Sequence, residues 1–215
     1  MIVSKNSLVL SLLLFITTGF DLNSKNLTAK SCVGLKLVEI VKINSKIKLD
    51  IKYSTTNNFT GKTVYSSNRC FLIKEVAIAL NKVEKDLEKQ GLGLKVWDGY
   101  RPLSVQKIFW SICPNENYVA NPAKGSNHNR GTAVDLTLVD LKTGKELVMP
   151  SMFDDFSSKA SRNYSKMSAV VSKNCRVLES LMVKHGFHAP YSEWWHFDYK
   201  NWKNYPVLDF DIKNS

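Results

Sequence analysis

Two histidines and an aspartate have the residue types and the setting of metal ligands. His128 lies in a polar loop bounded by glycines at 125 and 131, seven residues before Asp135. Asp135 lies inside the apolar segment Ala-Val-Asp-Leu-Thr-Leu, where burying a carboxylate is costly unless it is paired or bound to metal. His196 ends the segment Glu-Trp-Trp-His that begins at Glu193. We therefore predict a metal site formed by His128, Asp135 and His196.

Glu193 has a different predicted role from the three ligands. A carboxylate beside a metal can remain unligated and accept a proton from water as a general base. Positions 193 and 196 of a regular strand would point to opposite faces, so we expect Glu193 to lie in the loop before the strand. Two imidazoles and one carboxylate favour zinc over calcium or magnesium, although the same set occurs in non-haem iron oxygenases. The sequence has no H-E-x-x-H helix, which excludes the zincins.

The other two histidines are not assigned to this site. His185 precedes Gly186 at the predicted end of a helix, where a positive side chain favours the helix dipole. His188 has no acidic neighbour in sequence. We expect both to have structural or surface roles.

The elements that would position the site mix helices and strands without regular alternation. Apolar residues at helical spacing predict helices over residues 70–90, 103–112 and 168–185. Strands are predicted over residues 94–97, 132–139 and 194–199. We expect an α+β fold of one domain, with a mainly antiparallel sheet, flanking helices and the zinc site at the sheet.

The N-terminal segment is typical of a secretory signal peptide. Lys5 precedes an apolar run over residues 8–16, which small residues follow. The run is shorter than the ~20 apolar residues of a membrane-spanning helix, and an uncleaved anchor is the alternative. We expect a signal peptide over residues 1–29, cleaved between residues 19 and 29. The mature protein would be periplasmic or extracellular, without stable membrane insertion.

The net charge of +11 does not by itself predict a nucleic-acid partner. The basic residues are scattered and alternate with acids, as in residues 82–89, whereas nucleic-acid binding requires a basic cluster on one face. We expect a solvated basic surface, which in an exported protein would also favour encounter with anionic cell-wall polymers.

The cysteines do not form a metal-binding pattern. Without a C-x-x-C pair a cysteine zinc site is not predicted, and export permits disulfides whose pairing the sequence leaves open. Cys175 shares an apolar helical stripe with Leu178 and Met182, so we expect it to be buried. The other three cysteines are Cys32, Cys70 and Cys113.

Four segments of the chain carry a resemblance to a known family. They are Ser-Asn-His-Asn-Arg-Gly-Thr-Ala-Val-Asp at 126–135, Glu-Trp-Trp-His at 193–196, Trp-Asp-Gly-Tyr-Arg-Pro at 97–102, and Asp-Ile-Lys-Tyr-Ser-Thr-Thr-Asn-Asn-Phe-Thr-Gly at 50–61. Together they resemble the D-alanyl-D-alanine dipeptidases, the VanX-type zinc peptidases, over residues 40–210. The first two patterns occur in a wider peptidase group, whereas the N-F-T-G and G-Y-R-P segments narrow it to the dipeptidases.

The resemblance implies a role for further side chains. It implies one zinc ion on the three predicted ligands, with Glu193 as the base and Arg101 supporting the oxyanion. A surface salt bridge is the alternative role of Arg101. The resemblance also implies that Tyr53 and Ser126 line the substrate pocket, with packing and loop capping as their alternatives. An aspartate of the Asp154–Asp155 pair would hold the substrate's free amine, and the spacing from Asp135 favours Asp154.

The function that the resemblance implies is hydrolysis of D-alanyl-D-alanine to two D-alanine molecules by a domain over residues 33–212. Cell-wall turnover and glycopeptide resistance are both compatible with it. One alternative is a related zinc D,D-carboxypeptidase or endopeptidase that acts on longer peptidoglycan stem peptides. Another is a non-enzymatic peptidoglycan-binding module with a structural zinc, which would need neither Glu193 nor Arg101. The oligomeric state remains open.

Overall fold

A five-stranded mixed sheet forms the centre of the fold. The computed structural model describes residues 36–214, which belong to one compact unit. In chain order, the strands of the described residues are β1 (Leu37–Glu39), β2 (Lys48–Leu49), β3 (Phe71–Ile73), β4 (Leu92–Asp98), β5 (Ala133–Asp140), β6 (Phe187–His188) and β7 (His196–Tyr199). The helices are α1 (Ile40–Ile43), α2 (Lys74–Glu88), α3 (Leu103–Ile112) and α4 (Ala169–Lys184).

The order of strands in the sheet is β2-β4-β5-β7-β6. The pairs β4–β5, β5–β7 and β6–β7 are antiparallel, whereas β2 pairs in parallel with β4. The expected α+β class with a mainly antiparallel sheet is therefore confirmed, and the single parallel pair β2–β4 makes the sheet mixed. A separate antiparallel pair, β1–β3, lies outside this sheet.

The helices bury the apolar stripes from which they were predicted. On α2 the stripe includes Val76, Leu80, Val83 and Leu87, all fully buried. Helix α3 has the predicted bounds, and α4 begins after Ser168, whose Oγ accepts a hydrogen bond from Val171 N. Such a side-chain cap satisfies a free amide of the first helical turn.

Two predicted elements have different bounds in the structure. The predicted helix over 70–90 begins only at Lys74, because residues 71–73 pair with β1 as strand β3. Strand pairing and burial thus override the helical spacing of an aromatic and β-branched segment. The final strand begins at His196 rather than at Trp194, since Trp194 N donates to Ala160 O in a loop contact.

The cysteines of the described residues are all free thiols. Cys70 is buried, as a small hydrophobe would be, but Cys175 is only partly buried, contrary to the prediction. Within residues 36–214 no helix has the length and hydropathy to cross a bilayer. Cys32 and the predicted signal peptide lie outside the described residues.

Candidate metal centre and active site

The central sheet brings Asp135 and His196 to one face. They are directly opposed on the antiparallel strands β5 and β7. Opposed residues of an antiparallel pair have their side chains on the same side of the sheet. His196 Nδ1 lies 2.9 Å from Asp135 Oδ1.

A β-bulge adds Asp98 to the same row. Val96 is opposite Leu136, but Asp98 rather than Trp97 is opposite Asp135, so one extra residue is inserted at Trp97. A bulge of this kind turns the following side chain to the other face. Asp98, fully buried, therefore lies behind the cluster of Asp135 and His196.

His128 reaches the cluster from a short 3-10 turn, His128–Arg130. Gly131 ends the turn with φ +65°, a left-handed conformation that side chains disfavour. The buried amide of Asn129 ties the turn to its surroundings. It accepts from Ser126 N at 2.6 Å and donates to Arg101 O at 2.9 Å.

Each histidine ring uses its outer nitrogen as a donor. His128 Nδ1 lies 2.8 Å from Gly99 O, and His196 Nε2 lies 3.0 Å from Asp198 Oδ1. A carbonyl or carboxylate oxygen only accepts, so these nitrogens carry the protons. In the neutral rings, the lone pairs on His128 Nε2 and His196 Nδ1 therefore face Asp135.

The donor set fits a divalent metal ion. The three ligand atoms lie within 4.8 Å of one another, and the two inner ring nitrogens are 3.1 Å apart. His128 and Asp135 are nearly fully buried. Three inward-facing acceptors repel one another unless a cation or an added proton lies between them. Two imidazoles and a carboxylate, with outer hydrogen bonds that fix the ring tautomers, form a typical zinc donor set.

The pKa shifts within the cluster agree with a need for positive charge between the three inward-facing acceptors. Burial alone would lower the pKa of His196, but the charge of Asp198 and the bonds to Asp135 and Asp198 raise that pKa well above its ordinary value. Burial opposes ionisation of Asp135 as well, yet the neighbouring histidines hold its pKa far below the usual range. The cluster thus stabilises positive charge, and a bound metal ion can supply that charge.

Glu193 lies in the loop before β7, as the sequence predicted, and faces the same cavity as the three ligands. Burial and the charge of Asp135 raise the pKa of Glu193, while His196 and His128 lower it. A carboxylate with a raised pKa is a better proton acceptor than a solvated one.

Arg101 is buried and its guanidinium is held from two sides. Nε and Nη2 donate to Asp98 Oδ2 at 3.1 and 2.6 Å, and Nη1 donates to Gln106 Oε1 at 2.8 Å. Three of the five N–H groups are thereby used, and two remain for a ligand. Since Arg101 lines the cavity, its salt bridge is a buried support rather than the surface pair considered above.

The aspartate doublet divides into two different environments. Asp154, with φ +58°, lines the cavity, and its carboxylate oxygens accept from Tyr53 Oη at 3.2 and 3.1 Å. Burial and the charge of Asp135 raise the pKa of Asp154 to about 8. Asp155 instead accepts from Ser157 N at 2.7 Å, outside the cavity. Of the two, only Asp154 is placed to meet a ligand.

One cavity of about 410 Å³ is lined by the three candidate ligands and by Glu193, Arg101 and Asp154. This volume is near the lower end of the range for small-molecule sites. Aromatic rings form much of the rest of the lining: Tyr53, Phe59, Phe109, Tyr118, Phe156, Trp195 and Trp202. Ser126 also lines the cavity, and its Oγ accepts from His128 N at 3.3 Å, so it has the capping contact as well.

Known proteins are similar in sequence to this chain over most of its length. A family model described as D-ala-D-ala dipeptidase, of peptidase family M15, matches residues 34–211. The chain belongs to this family. It is therefore a peptidase of the M15 metallopeptidase family.

Individual members of the dipeptidase family are similar throughout. A D-alanyl-D-alanine dipeptidase of Escherichia coli (strain K12) is 36% identical over 173 residues, covering 80% of this chain and 89% of the relative. One of Enterococcus faecium is 36% identical over 189 residues, covering 78% and 93%. A solved structure of the LD-carboxypeptidase LdcB has 24% identity and a TM-score of 0.41, with 62% of each chain covered.

Several residues that support the site were not predicted from sequence. Asp98 and Gln106 hold Arg101, Asp198 holds His196, and Asn129 holds the His128 turn. The only available signal was an acidic residue at strand position 98 and another two residues after His196. His185 lies away from the site, at the end of α4, where Nε2 is 2.9 Å from Asp86.

Proposed function

We propose that this member of the dipeptidase family is a zinc-dependent dipeptidase that hydrolyses D-alanyl-D-alanine to two D-alanine molecules. The observation that carries the proposal is the convergence of His128, Asp135 and His196 beside Glu193 in one small cavity. Relatives named D-alanyl-D-alanine dipeptidase, similar over most of their length, support the substrate.

The three converging side chains would hold one zinc ion per chain. When bound, zinc lowers the pKa of water and polarises the peptide carbonyl. The hydrogen bonds from His128 to Gly99 O and from His196 to Asp198 fix the two rings, so both inner nitrogens would be available to hold the ion.

Glu193 and Arg101 would carry the proton and the charge of the reaction. Glu193 accepts a proton from the attacking water and then gives it to the leaving amine. The two free N–H groups of Arg101 stabilise the negative charge that develops on the substrate oxygen. Because Asp98 and Gln106 hold the guanidinium in advance, little reorganisation is needed during the reaction.

Asp154 would bind the free amine of the dipeptide. Its carboxylate is buried at the cavity beside Tyr53 and has few polar partners, which favours a cationic group there. A free ammonium group lies next to the scissile bond only when that bond follows the first residue of the substrate. This preference distinguishes a dipeptidase from a carboxypeptidase that acts on longer peptides.

Hydrolysis of D-alanyl-D-alanine by the purified protein tests the function. We expect release of D-alanine that a chelator abolishes and added zinc restores, with N-acetyl-D-alanyl-D-alanine and a pentapeptide stem cleaved far more slowly. Chelator-resistant activity would contradict the zinc proposal. A higher kcat/KM for the pentapeptide would identify a carboxypeptidase or endopeptidase instead.

We also propose that the protein is exported and acts in cell-wall peptide turnover or glycopeptide resistance. The support is the pattern of residues 1–29, with a basic start and a short apolar run. N-terminal sequencing of the mature protein from fractionated cells should find a start between residues 20 and 30 in the exported fraction. An intact N-terminus in the cytoplasmic fraction would contradict export.

A further inference from the structure

Arg162 lies outside the cavity, and its nearly buried side chain contacts the segment that carries Glu193. Nε donates to Pro190 O at 2.7 Å, and Nη2 donates to His196 O at 2.6 Å. These two carbonyls flank residues 191–195. The side chain of Arg162 is only 6% exposed, and the guanidinium lies 4.2 Å from the centre of the Phe197 ring.

The backbone around Arg162 binds the same segment. Arg162 N donates to Tyr191 O at 3.0 Å, and Ser161 Oγ donates to the same oxygen at 3.2 Å. Trp194 N donates to Ala160 O at 2.8 Å. The loop of residues 160–162 therefore contacts the Glu193 segment at its start, in its middle and at its end.

The Glu193 segment is irregular, but its C-terminal side has other fixed points: Trp195 O accepts from Leu136 N at 3.1 Å, and Trp194 Nε1 donates to Ser151 Oγ at 3.0 Å. Residues 190–195 form no helix or strand, and β7 begins only at His196. Glu193 lies on this irregular stretch, where the backbone is not held by a ladder of hydrogen bonds. On the N-terminal side of Glu193, the hydrogen bonds that the described residues form with Pro190 and Tyr191 all come from residues 161 and 162, so the course of the chain into Glu193 depends on these contacts.

We propose that Arg162 is a positioning residue for Glu193. By binding the carbonyls of Pro190 and His196 with one planar group, Arg162 fixes the length and course of the loop between them. It touches neither the cavity nor the ligand atoms, and acts through the backbone of the loop. The inference rests on the proposed role of Glu193 as the base.

The geometry of the guanidinium is essential to this role. Arginine presents several N–H donors in a fixed plane, whereas lysine is a single flexible point charge. Arg162→Lys keeps the charge and much of the apolar stem but cannot hold both carbonyls in the same geometry. A displacement of catalytic groups by about 1 Å can lower the rate by about 100-fold.

Kinetics of Arg162→Lys, with zinc content and folded fraction measured, form the first part of the test. We expect kcat for D-alanyl-D-alanine to fall by about 10- to 100-fold, with KM and zinc stoichiometry close to those of the unmodified protein. Hydrogen exchange should become faster at the amide of Trp194. Unchanged kcat, or a loss explained entirely by lost zinc or unfolding, would overturn the proposal.

Glu179→Gln serves as the matched control. Glu179 Oε2 is 3.6 Å from Arg162 Nη1, and its side chain is 45% exposed. This change removes the acidic neighbour of Arg162 but leaves both carbonyl contacts intact. We expect kcat within about 2-fold of the unmodified protein, as for other exposed ion pairs. A loss as large as that of Arg162→Lys would assign the effect to charge and overturn the positioning role.

The double variant Arg162→Lys with Glu193→Gln separates this inference from the proposed function. If Arg162 acts through Glu193, Arg162→Lys should have little further effect on kcat in a protein that already carries Glu193→Gln. Full and independent losses would overturn the inference while leaving Glu193 as the base. Wild-type activity of Glu193→Gln alone would instead refute the proposed function, irrespective of the behaviour of Arg162→Lys.

Discussion

Both histidines of the cluster direct a lone pair inward because the chain itself occupies their outer nitrogens. The acceptors are Gly99 O for His128 and Asp198 for His196. A free imidazole would sample both tautomers and several ring orientations. Fixing them before the metal binds reduces the entropy that binding must overcome.

Zinc content should depend on His196 and not on His185. His196→Ala removes one of three ligands, and the remaining pair cannot define a tetrahedral site, so we expect zinc to be lost on dialysis. His185→Ala removes a ring of similar size at the end of α4, and should retain one zinc per chain. Metal analysis of both proteins decides, and full occupancy in His196→Ala would refute the ligand assignment.

The aspartate doublet offers a second prediction with an internal control. If Asp154 binds the substrate amine, acetylation of that amine should reduce cleavage by about 10- to 100-fold, since the substrate loses a hydrogen bond between charged groups worth ~1.5–3 kcal/mol. Asp154→Ala should reduce hydrolysis of the free dipeptide and narrow the difference between free and acetylated substrates.

Asp155→Ala is the matched control, because Asp155 accepts a hydrogen bond from Ser157 N of its own loop and does not line the cavity. We expect it to keep the preference for the free dipeptide. If Asp155→Ala narrows the difference and Asp154→Ala does not, the assignment of the amine site is reversed.

At the scale of elements, the register of β4, β5 and β7 decides which side chains meet. Asp98, Asp135 and His196 form one row only because of the bulge at Trp97. Without the bulge, Asp98 would face the other side of the sheet and Arg101 would lose its carboxylate partner. The turn that ends at Gly131 then places His128 at the end of that row.

Gly131 provides a prediction at this scale. At φ +65° an alanine is strained, and its Cβ would lie 2.8 Å from Leu37 Cδ2 and 3.3 Å from Ile73 N. The left-handed conformation costs a non-glycine residue about 1–2 kcal/mol, and the contact with backbone adds to this cost. We expect Gly131→Ala to lower both the free energy of unfolding and the affinity for zinc, since the turn carries His128.

Gly144→Ala is the control for backbone strain alone. Gly144 has φ +70°, and a Cβ there would meet nothing within 4 Å. Denaturant unfolding should therefore show a smaller loss for Gly144→Ala, with unchanged zinc affinity. Equal effects of the two changes would indicate that the surroundings of Gly131 do not matter.

At the scale of the whole molecule, a buried carboxyl connects α2 to the sheet. Glu84 is fully buried, and Oε2 accepts from Leu94 N at 2.7 Å. Oε1 has no hydrogen-bond partner among the described residues. Burial raises the pKa of Glu84 from 4.5 to about 7, with the bond from Leu94 N acting in the opposite direction.

This carboxyl should make stability depend on pH. Between pH 4.5 and 7 the folded state retains a proton that the unfolded state loses, so the free energy of unfolding falls as pH rises. The total change from this group is about 3 kcal/mol, complete above pH 7. Glu84→Gln should remove this slope, so its stability relative to the unmodified protein should increase from pH 4.5 to pH 8.

Thermal or denaturant unfolding at several pH values measures the slope separately from any packing loss. Glu88→Gln, one turn further along α2, removes an ion pair with the mostly exposed Lys46 and should change stability by less than about 1 kcal/mol. Parallel pH profiles for Glu84→Gln and the unmodified protein would contradict the assignment.

Much of the site could be predicted from local sequence. His128 and Asp135 are marked by a polar loop and by a carboxylate in an apolar strand, and Glu193 by its place before His196. The helix over residues 103–112 was also fixed by its own spacing and by Pro114 after it. These features depend on residues only a few positions apart, so a local sequence pattern is sufficient to predict them.

Only the tertiary structure decided how these parts meet. The contact of Tyr53 with Asp154 and the contacts of Arg162 with Pro190 and His196 join segments that are distant in sequence. The ion pair of Arg101 with Asp98 is local, but it depends on the bulge that turns Asp98 to this face. Strand β3 is another case, since only pairing with β1 turns residues 71–73 from helix to strand. Side-chain direction depends on register, and a shift of one residue reverses the face. That register is set by packing across the whole sheet rather than by any local pattern.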